Sequence, residues 1–261
     1  MFHYFGYGSN MDLTSLRAKG VTPSTSQRAA LPGWRLRFNV AHFFRHEGGV
    51  GNIERTDDPA DRVLGVVHLC EDSDLARLDE AEAYPIGYDR VELAVLTDTG
   101  PVTAVAYVGT PAFVDDTRLP SRRYLNILVA GATAAGIDSA YIEALRAHQV
   151  LVNEDYPPFT PPAGEHPGYT AAALAARPEL TALADAVFDM SEARPQHRVL
   201  RSQYGGRDMT LYHLRRMDSS AGTETEADIA RGRLSEAQRA YLNEYLHEYA
   251  REYRYAGRYL R

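Results

Sequence analysis

The chain has 261 residues, of which 44% are hydrophobic and 24% charged, with 20 glycines and 14 prolines. That composition excludes collagen-like and low-complexity architectures. The net charge of −7 excludes broad duplex-DNA binding, which needs a basic face. A single cysteine, Cys70, excludes an internal disulfide and a Cys-rich metal cluster, and fits a reducing compartment. The expectation is a cytoplasmic protein with no nucleic-acid or membrane partner, because no run of about 18 apolar residues is present. The first residues lack the basic start and small-residue cleavage site of a secretory leader.

Taken in chain order, Phe2–Tyr7 reads as a short buried strand running into a glycine turn. Asp12 caps a helix over Leu13–Lys19, stopped by Gly20. Trp34–Val40 alternates with the period of a strand, and Val63–Cys70 is a continuous apolar strand. Asp74–Ala83 has helical period, and Val91–Leu96 and Val102–Val108 form strands joined at Asp98-Thr99-Gly100. Helices follow over Arg122–Ala135, ended by Gly136, and from Asp138 or Ser139 to His148. The order suggests α+β with a mixed or closed sheet rather than a doubly wound one.

Residues 151–168 change character. Four prolines fall between Asn153 and Gly164, which leaves neither a helix nor an inner strand. Three segments result: 1–150, a linker at 151–168, and a second unit at 169–261. In the last, Tyr169–Ala176 is helical in composition and Ala186–Met190 is a short strand. Gly205–Asp208 is a turn before a helix, and Ser219–Glu226 is a polar loop. The final helix opens with the capping box Ser235-Glu236-Ala237-Gln238. Its stripe of Tyr241, Leu242, Tyr245, Leu246, Tyr249 and Tyr253 reads as core.

Two places could carry chemistry. With about 100° per residue measured from Leu75, Leu78 falls near 300° and Glu82 near 340°, whereas Glu80 and Arg77 fall elsewhere. Glu82 therefore projects from the face that should be buried, where desolvation favours a carboxyl able to exchange protons near neutrality. The competing reading is a helix-end glutamate that reaches solvent or pairs with an arginine. The second place is Tyr7-Gly8-Ser9-Asn10, a strand-end glycine turn that gathers amides around an anion, or else a plain turn. Phe43–Asn52 reads as a loop of close backbone approach or simple hairpin punctuation. His42, His46 and Glu47 lie together without completing a zinc spacing. No G-x-S-x-G elbow is present.

These pieces, in order over residues 4–148, resemble the γ-glutamylcyclotransferase family. Tyr4–Met11 is similar to its Y-G-S-N loop, Gly48–Ile53 to its glycine segment, and Val63–Val67 to the strand before its catalytic helix. Leu78-Asp79-Glu80-Ala81-Glu82 fits L-D-x-x-E, with Tyr88 at the family's spacing. Pro120-Ser121, Tyr124, Gly131-Ala132 and Gly136-Ile137 resemble its later helix. The resemblance implies a small mixed β-barrel with flanking helices. It also implies Glu82 as general acid/base, with Tyr7, Gly8, Ser9, Asn10, Tyr88 and Tyr124 around a small γ-glutamyl substrate. The implied reaction closes that substrate to 5-oxoproline and frees an amine, with no metal or cofactor. Ala83-Tyr84-Pro85 departs from the family, where many members have glycine, and so leaves the acceptor side open.

The last unit, through Ala186–Ser191, Gly205–Thr210 and Leu234–Tyr259, resembles the membrane-associated progesterone receptor branch of the cytochrome b5-like fold. Haem in this unit is an implied cofactor, although Arg201 stands near the position of the expected tyrosine ligand and the HPGG motif is absent. His197 and Tyr204 are candidate ligands or, as the simpler reading, solvated surface residues. The alternative function is thus a non-catalytic small-ligand or haem-binding module. The oligomeric state and the amine acceptor stay open.

Overall fold

The computed structural model describes residues 1–56 and 58–261, and the chain forms two units. The first is Met1–His42 with Glu47–Val152, and the second is Phe43–His46 with Asn153–Arg261.

In the first unit, five strands close a barrel: β1 (Phe2–Gly6), β5 (Arg62–Cys70), β2 (Thr25–Pro32), β6 (Tyr88–Thr97) and β7 (Gly100–Gly109), in that order around the wall. Neighbours are antiparallel except β1 and β7, where Tyr4 sits parallel opposite Val105. The twofold period of β5 builds both layers of the unit. Val63 and Val67 join Phe5, Leu31, Val95 and Ala104 inside the barrel. Leu64 and Val66 face the other way, onto Leu125 and Leu128 of α3 (Arg122–Ala134) and Ile142 and Leu145 of α4 (Ser139–Arg146). A separate hairpin pairs β3 (Trp34–Ala41) with β4 (Gly49–Arg55), with a register shift between Arg37 and Val40. The mixed α+β fold with a small closed barrel is the one expected.

Local chemistry accounts for the helix ends. Asp12 Oδ1 accepts the Ser15 amide at 2.7 Å to start α1 (Leu13–Ala18). Ser121 Oγ accepts the Tyr124 amide at 3.1 Å to start α3, and Gly136 takes φ +68° just beyond it.

The sequence reading missed two strands here. In β2 the first four residues, Thr25 to Arg28, are exposed and only Ala29 and Leu31 turn inward, so no alternation is visible. β4 corrects the loop reading of Phe43–Asn52. Its glycines lie against a close backbone: a Cβ on Gly49 would stand 2.0 Å from the Phe38 carbonyl oxygen. The close backbone approach expected of this segment is present at Gly49, on a strand rather than in a loop.

The second unit holds a four-stranded sheet in the order β8 (Gly168–Thr170), β11 (Arg254–Leu260), β10 (Ala186–Asp189) and β9 (Leu180–Leu183). Short helices α5 (Ala171–Ala175), α6 (Pro195–Arg198), α7 (Arg201–Tyr204), α8 (Thr210–Leu214) and α9 (Glu226–Ala230) precede the long α10 (Glu236–Glu252). The Ser235–Gln238 capping box is present, and Tyr241, Tyr245, Tyr249 and Tyr253 are buried as core. Phe44 stacks on Tyr249 at 5.1 Å between ring centres and meets Tyr245 edge-on at 5.4 Å. Residues from Asn153 onward belong to this unit; the Phe159 amide donates to Asn243 Oδ1 at 2.7 Å, and its ring lies 6.2 Å from that of Phe188.

Two expectations are corrected. The helix over Tyr169–Ala176 starts only at Ala171, because extended Thr170 caps it and Tyr169 pairs in β8 with Tyr259 of β11. His197 and Tyr204 are not solvated surface: they are 0% and 3% exposed. His197 Nδ1 lies 3.0 Å from the Tyr253 hydroxyl and Nε2 lies 2.7 Å from the Phe43 carbonyl oxygen. The partner from position 43 is far away in sequence, which is why local pattern pointed to solvent.

Candidate active site

At the end of β1 the chain folds back on itself. A Cβ on Gly6 would stand 2.9 Å from the Asn10 carbonyl oxygen, so only glycine allows this return. One 3-10 turn, Ser9–Met11, follows, and Asn10 is buried. Its carbonyl is held by His68, whose Nε2 lies 2.9 Å away and whose Nδ1 lies 2.8 Å from Ser26 Oγ. A carbonyl only accepts, so Nε2–H donates and Nδ1 accepts the Ser26 hydroxyl proton. Burial pushes His68 down to about 4, against the opposing pull of that carbonyl.

A pH dependence follows. The unfolded imidazole takes a proton near 6.5, the folded one near 4. Between those limits the unfolded state binds more protons. The stability contribution is therefore complete above about pH 6.5 and lost as pH falls toward 4, at up to about 1.4 kcal/mol per pH unit. Urea midpoints between pH 7.5 and 5 will fall in the wild type and fall less in His68→Gln. Identical slopes would refute the assignment.

Glu82 lies just past α2 (Asp74–Ala81), not within it, which corrects the helix expected over Asp74–Ala83. Pro85 disfavours helical backbone at Tyr84, and Ala83 takes φ +51°. Leu78 is buried and Glu80 and Arg77 are exposed, as the helical wheel implies. The Glu82 side chain is 15% exposed and pairs not with an arginine but with Lys19, Nζ to Oε1 3.1 Å. Asn10 Nδ2 donates to the same oxygen at 2.9 Å, and Lys19 donates to Asn10 Oδ1 at 2.7 Å. The left-handed backbone at Ala83 strains a residue with a Cβ, which glycine relieves at some entropic cost. Ala83→Gly is expected to raise stability by about 1 kcal/mol, read as a higher urea midpoint; a lower one would count against it.

Glu82 lines one small cavity together with Tyr7, Gly8, Ser9, Asn10, Tyr88 and Tyr124, so the structure brings all seven expected site residues to one place. Tyr4, Gly51 and Tyr107 complete the lining. The Gly51 peptide organises two phenols: its amide donates to the Tyr124 hydroxyl at 2.9 Å and its carbonyl accepts from the Tyr88 hydroxyl at 2.7 Å. Tyr7 donates to the Tyr107 carbonyl, and Tyr107 donates to Asp79 Oδ1 at 2.7 Å, with Arg90 on the other Asp79 oxygen at 2.6 Å. Three hydroxyl protons are thus committed to protein. Tyr4 accepts from Asn10 Nδ2 at 2.5 Å, and Tyr124 accepts from the Gly51 amide and faces the Ser9 amide as well, so among the described residues their protons have no acceptor. Burial lifts Tyr4, Tyr7 and Tyr88 well above the ordinary phenol range and Tyr124 up to about 12, where the Gly51 amide partly offsets burial. Burial and the bond to Asp79 raise Tyr107 too. Near neutral pH these phenols are donors, not bases.

The backbone amides of Gly8, Ser9 and Asn10 make no backbone hydrogen bond among the described residues. A carboxylate held on one oxygen, two hydroxyl protons and a turn of amides therefore converge on one cavity, an arrangement suited to moving a proton beside a developing oxyanion. Among the described residues no group of three or more His, Cys, Asp or Glu side chains is placed to hold a metal ion.

Comparison with known proteins places this fold among known ones. The AIG2-like family model matches residues 62–145. A gamma-glutamyl cyclotransferase of Aspergillus oryzae, aclK, is 27% identical over 172 residues, 55% of this chain and 59% of that one. The chain therefore spans about three fifths of that relative's length. A solved gamma-glutamyl cyclotransferase superposes with TM-score 0.50 at 28% identity, covering 57% of this chain and 89% of its own. An uncharacterised protein of Homo sapiens superposes at 0.51 and 28% identity, over 59% and 91%. The first unit has the fold of gamma-glutamyl cyclotransferases.

Within that fold, sequence reasoning missed Lys19 and Tyr107, while Tyr4, Gly51 and Asp79 fell inside the motifs it singled out without being given a role. A lone lysine at a helix end and a tyrosine inside an apolar strand carry no local signal. No helix among the described residues is long and apolar enough to cross a membrane.

Proposed function

We propose that the first unit is a γ-glutamyl cyclotransferase that converts a small γ-glutamyl amine or peptide to 5-oxoproline and the free amine, with Glu82 as general acid and base. One observation carries the reading: a largely buried carboxylate, tied through Oε1 to Asn10 and Lys19, lines a cavity with the loop from Tyr7 to Asn10. Glu82 accepts a proton from the substrate's α-ammonium. The freed amine attacks the γ-carbonyl carbon, a C–N bond forms, and a five-membered ring closes. The carbonyl π electrons move onto oxygen, where the Tyr4 and Tyr124 hydroxyls and the loop amides are the available donors. As the oxyanion collapses, the original amide C–N bond breaks, Glu82 returns its proton to the departing nitrogen, and the ring nitrogen gives up its second proton through the same carboxylate to the freed amine, leaving a neutral lactam and an ammonium. Nucleophile and electrophile belong to one molecule, so most of the protein's task is geometry.

The comparisons with gamma-glutamyl cyclotransferases and the shared barrel support this class of reaction. The test is release of 5-oxoproline from a library of γ-glutamyl amino acids, peptides and amines incubated with the full chain. Turnover of at least one compound is expected; no product from any of them would overturn the reading. The alternative for the second unit, a cytochrome b5-like haem or small-ligand module, is tested by adding haemin. A Soret band would support it. Against it stands the burial of His197, whose two ring nitrogens already face the Tyr253 hydroxyl and the Phe43 carbonyl.

A further inference from the structure

Lys19 is the charged group in direct contact with Glu82, and the mechanism above gives it no role. It follows α1 as that helix's C-cap residue, where a lysine ordinarily extends into water. Here its side chain is 5% exposed, and its ammonium reaches Asn10 Oδ1 at 2.7 Å and Glu82 Oε1 at 3.1 Å. Burying an ammonium is costly unless good geometry repays it, so the inward course calls for a reason.

The hydrogen-bond logic supplies one. Lysine can only donate, so the Asn10 amide must turn its oxygen to Lys19. Its Nδ2 is thereby forced toward the Tyr4 hydroxyl and Glu82 Oε1. Lys19 thus acts on Glu82 twice, directly and by locking the flip of the amide that also binds it. Both donors fall on Oε1. Among the described residues Oε2 has no hydrogen-bond partner, so one carboxylate oxygen is anchored and the other is free to exchange a proton.

We propose that Lys19 is a positioning residue: it fixes the rotamer of Glu82 so that Oε2, and not Oε1, is the proton-transfer atom. This rests on the cyclotransferase reading and adds to it the group that sets the base's geometry. Loss of the ammonium releases both the carboxylate and the Asn10 flip. The tyrosines and the amides of the Tyr7–Asn10 loop, which grip the substrate, stay in place. The effect therefore falls on turnover rather than on binding.

The experiment is steady-state kinetics of Lys19→Met and Lys19→Arg in the full chain, on the best γ-glutamyl substrate of the library. For Lys19→Met, kcat falls about 100-fold, the scale of an ångström-sized misplacement, with KM changed less than about threefold. Lys19→Arg keeps charge and donors and restores kcat to within about tenfold of wild type. A raised KM with kcat intact would make Lys19 a substrate ligand and overturn the proposal, as would unchanged kinetics of Lys19→Met. If Lys19→Met does not fold, Lys19→Gln replaces it as the charge-removing variant: a lowered kcat at nearly constant KM supports the positioning role, and unchanged kinetics or a raised KM with kcat intact rejects it. A wild-type chain that forms no 5-oxoproline overturns the cyclotransferase reading and this proposal together, whereas an active wild type with an indifferent Lys19→Met overturns this proposal only.

Discussion

Glu82→Gln is expected to abolish 5-oxoproline formation, by about 10³-fold or more, while leaving a folded protein. General acid–base catalysis is worth about 10²–10⁴-fold, and the same carboxyl is used twice, to take and to return a proton. The substitution preserves the contacts that matter for folding. A glutamine oxygen still accepts from both Asn10 Nδ2 and Lys19 Nζ, which now share Glu82 Oε1. Its amide nitrogen takes the place of the oxygen that has no hydrogen-bond partner. Lys19 keeps an acceptor, so stability falls by less than the ~3–5 kcal/mol of breaking a buried pair outright. Product assay together with thermal melting separates the two effects. A Glu82→Gln protein that retains wild-type turnover would show that another group moves the proton.

The second large effect is expected at a glycine that touches no substrate. Gly131 lies in α3 against the loop after β1, where an added Cβ would stand 2.5 Å from the Asp12 amide nitrogen and 2.6 Å from the Met11 carbonyl carbon. Both are backbone atoms, so no side-chain rotation can relieve the contact. Gly131→Ala is expected to cost about 3 kcal/mol, the upper range for overpacking, and to move the turn that carries Asn10. Activity should fall together with the urea midpoint. Gly136→Ala makes the contrast, since nothing lies within 4 Å of its added Cβ and only its positive φ is penalised. Equal losses at the two positions would show that helix contact with the loop is not what Gly131 provides.

Much of this architecture was readable from residues close together in the chain. The period of Val63–Cys70 marked a barrel strand, Asp12 and Ser121 marked helix starts, and the Ser235–Gln238 box marked α10. Glu82 and the Tyr7–Asn10 turn were legible from local spacing, whereas Tyr88 and Tyr124 came only through the family resemblance. What escaped was set by distant partners. Lys19 is defined by a carboxylate 63 positions away, and His68 by a carbonyl 58 positions away. β2 hides its alternation because half its length is exposed on both sides. Glu82 was given a helical position because the helical spacing was carried through to Ala83, although Pro85 just beyond disfavours helix and Ala83 turns left-handed.

The aromatic centre of the second unit has an unusual genetic layout. Phe44, fully buried against Tyr249 and Tyr245, is encoded with Phe43, Arg45 and His46 more than a hundred codons ahead of the rest of the unit, which otherwise begins at Asn153. A gene fragment starting there would yield a polypeptide with a phenylalanine-sized hole in its middle. Neither evolution by shuffling nor a cloning boundary can lift this module out in one cut.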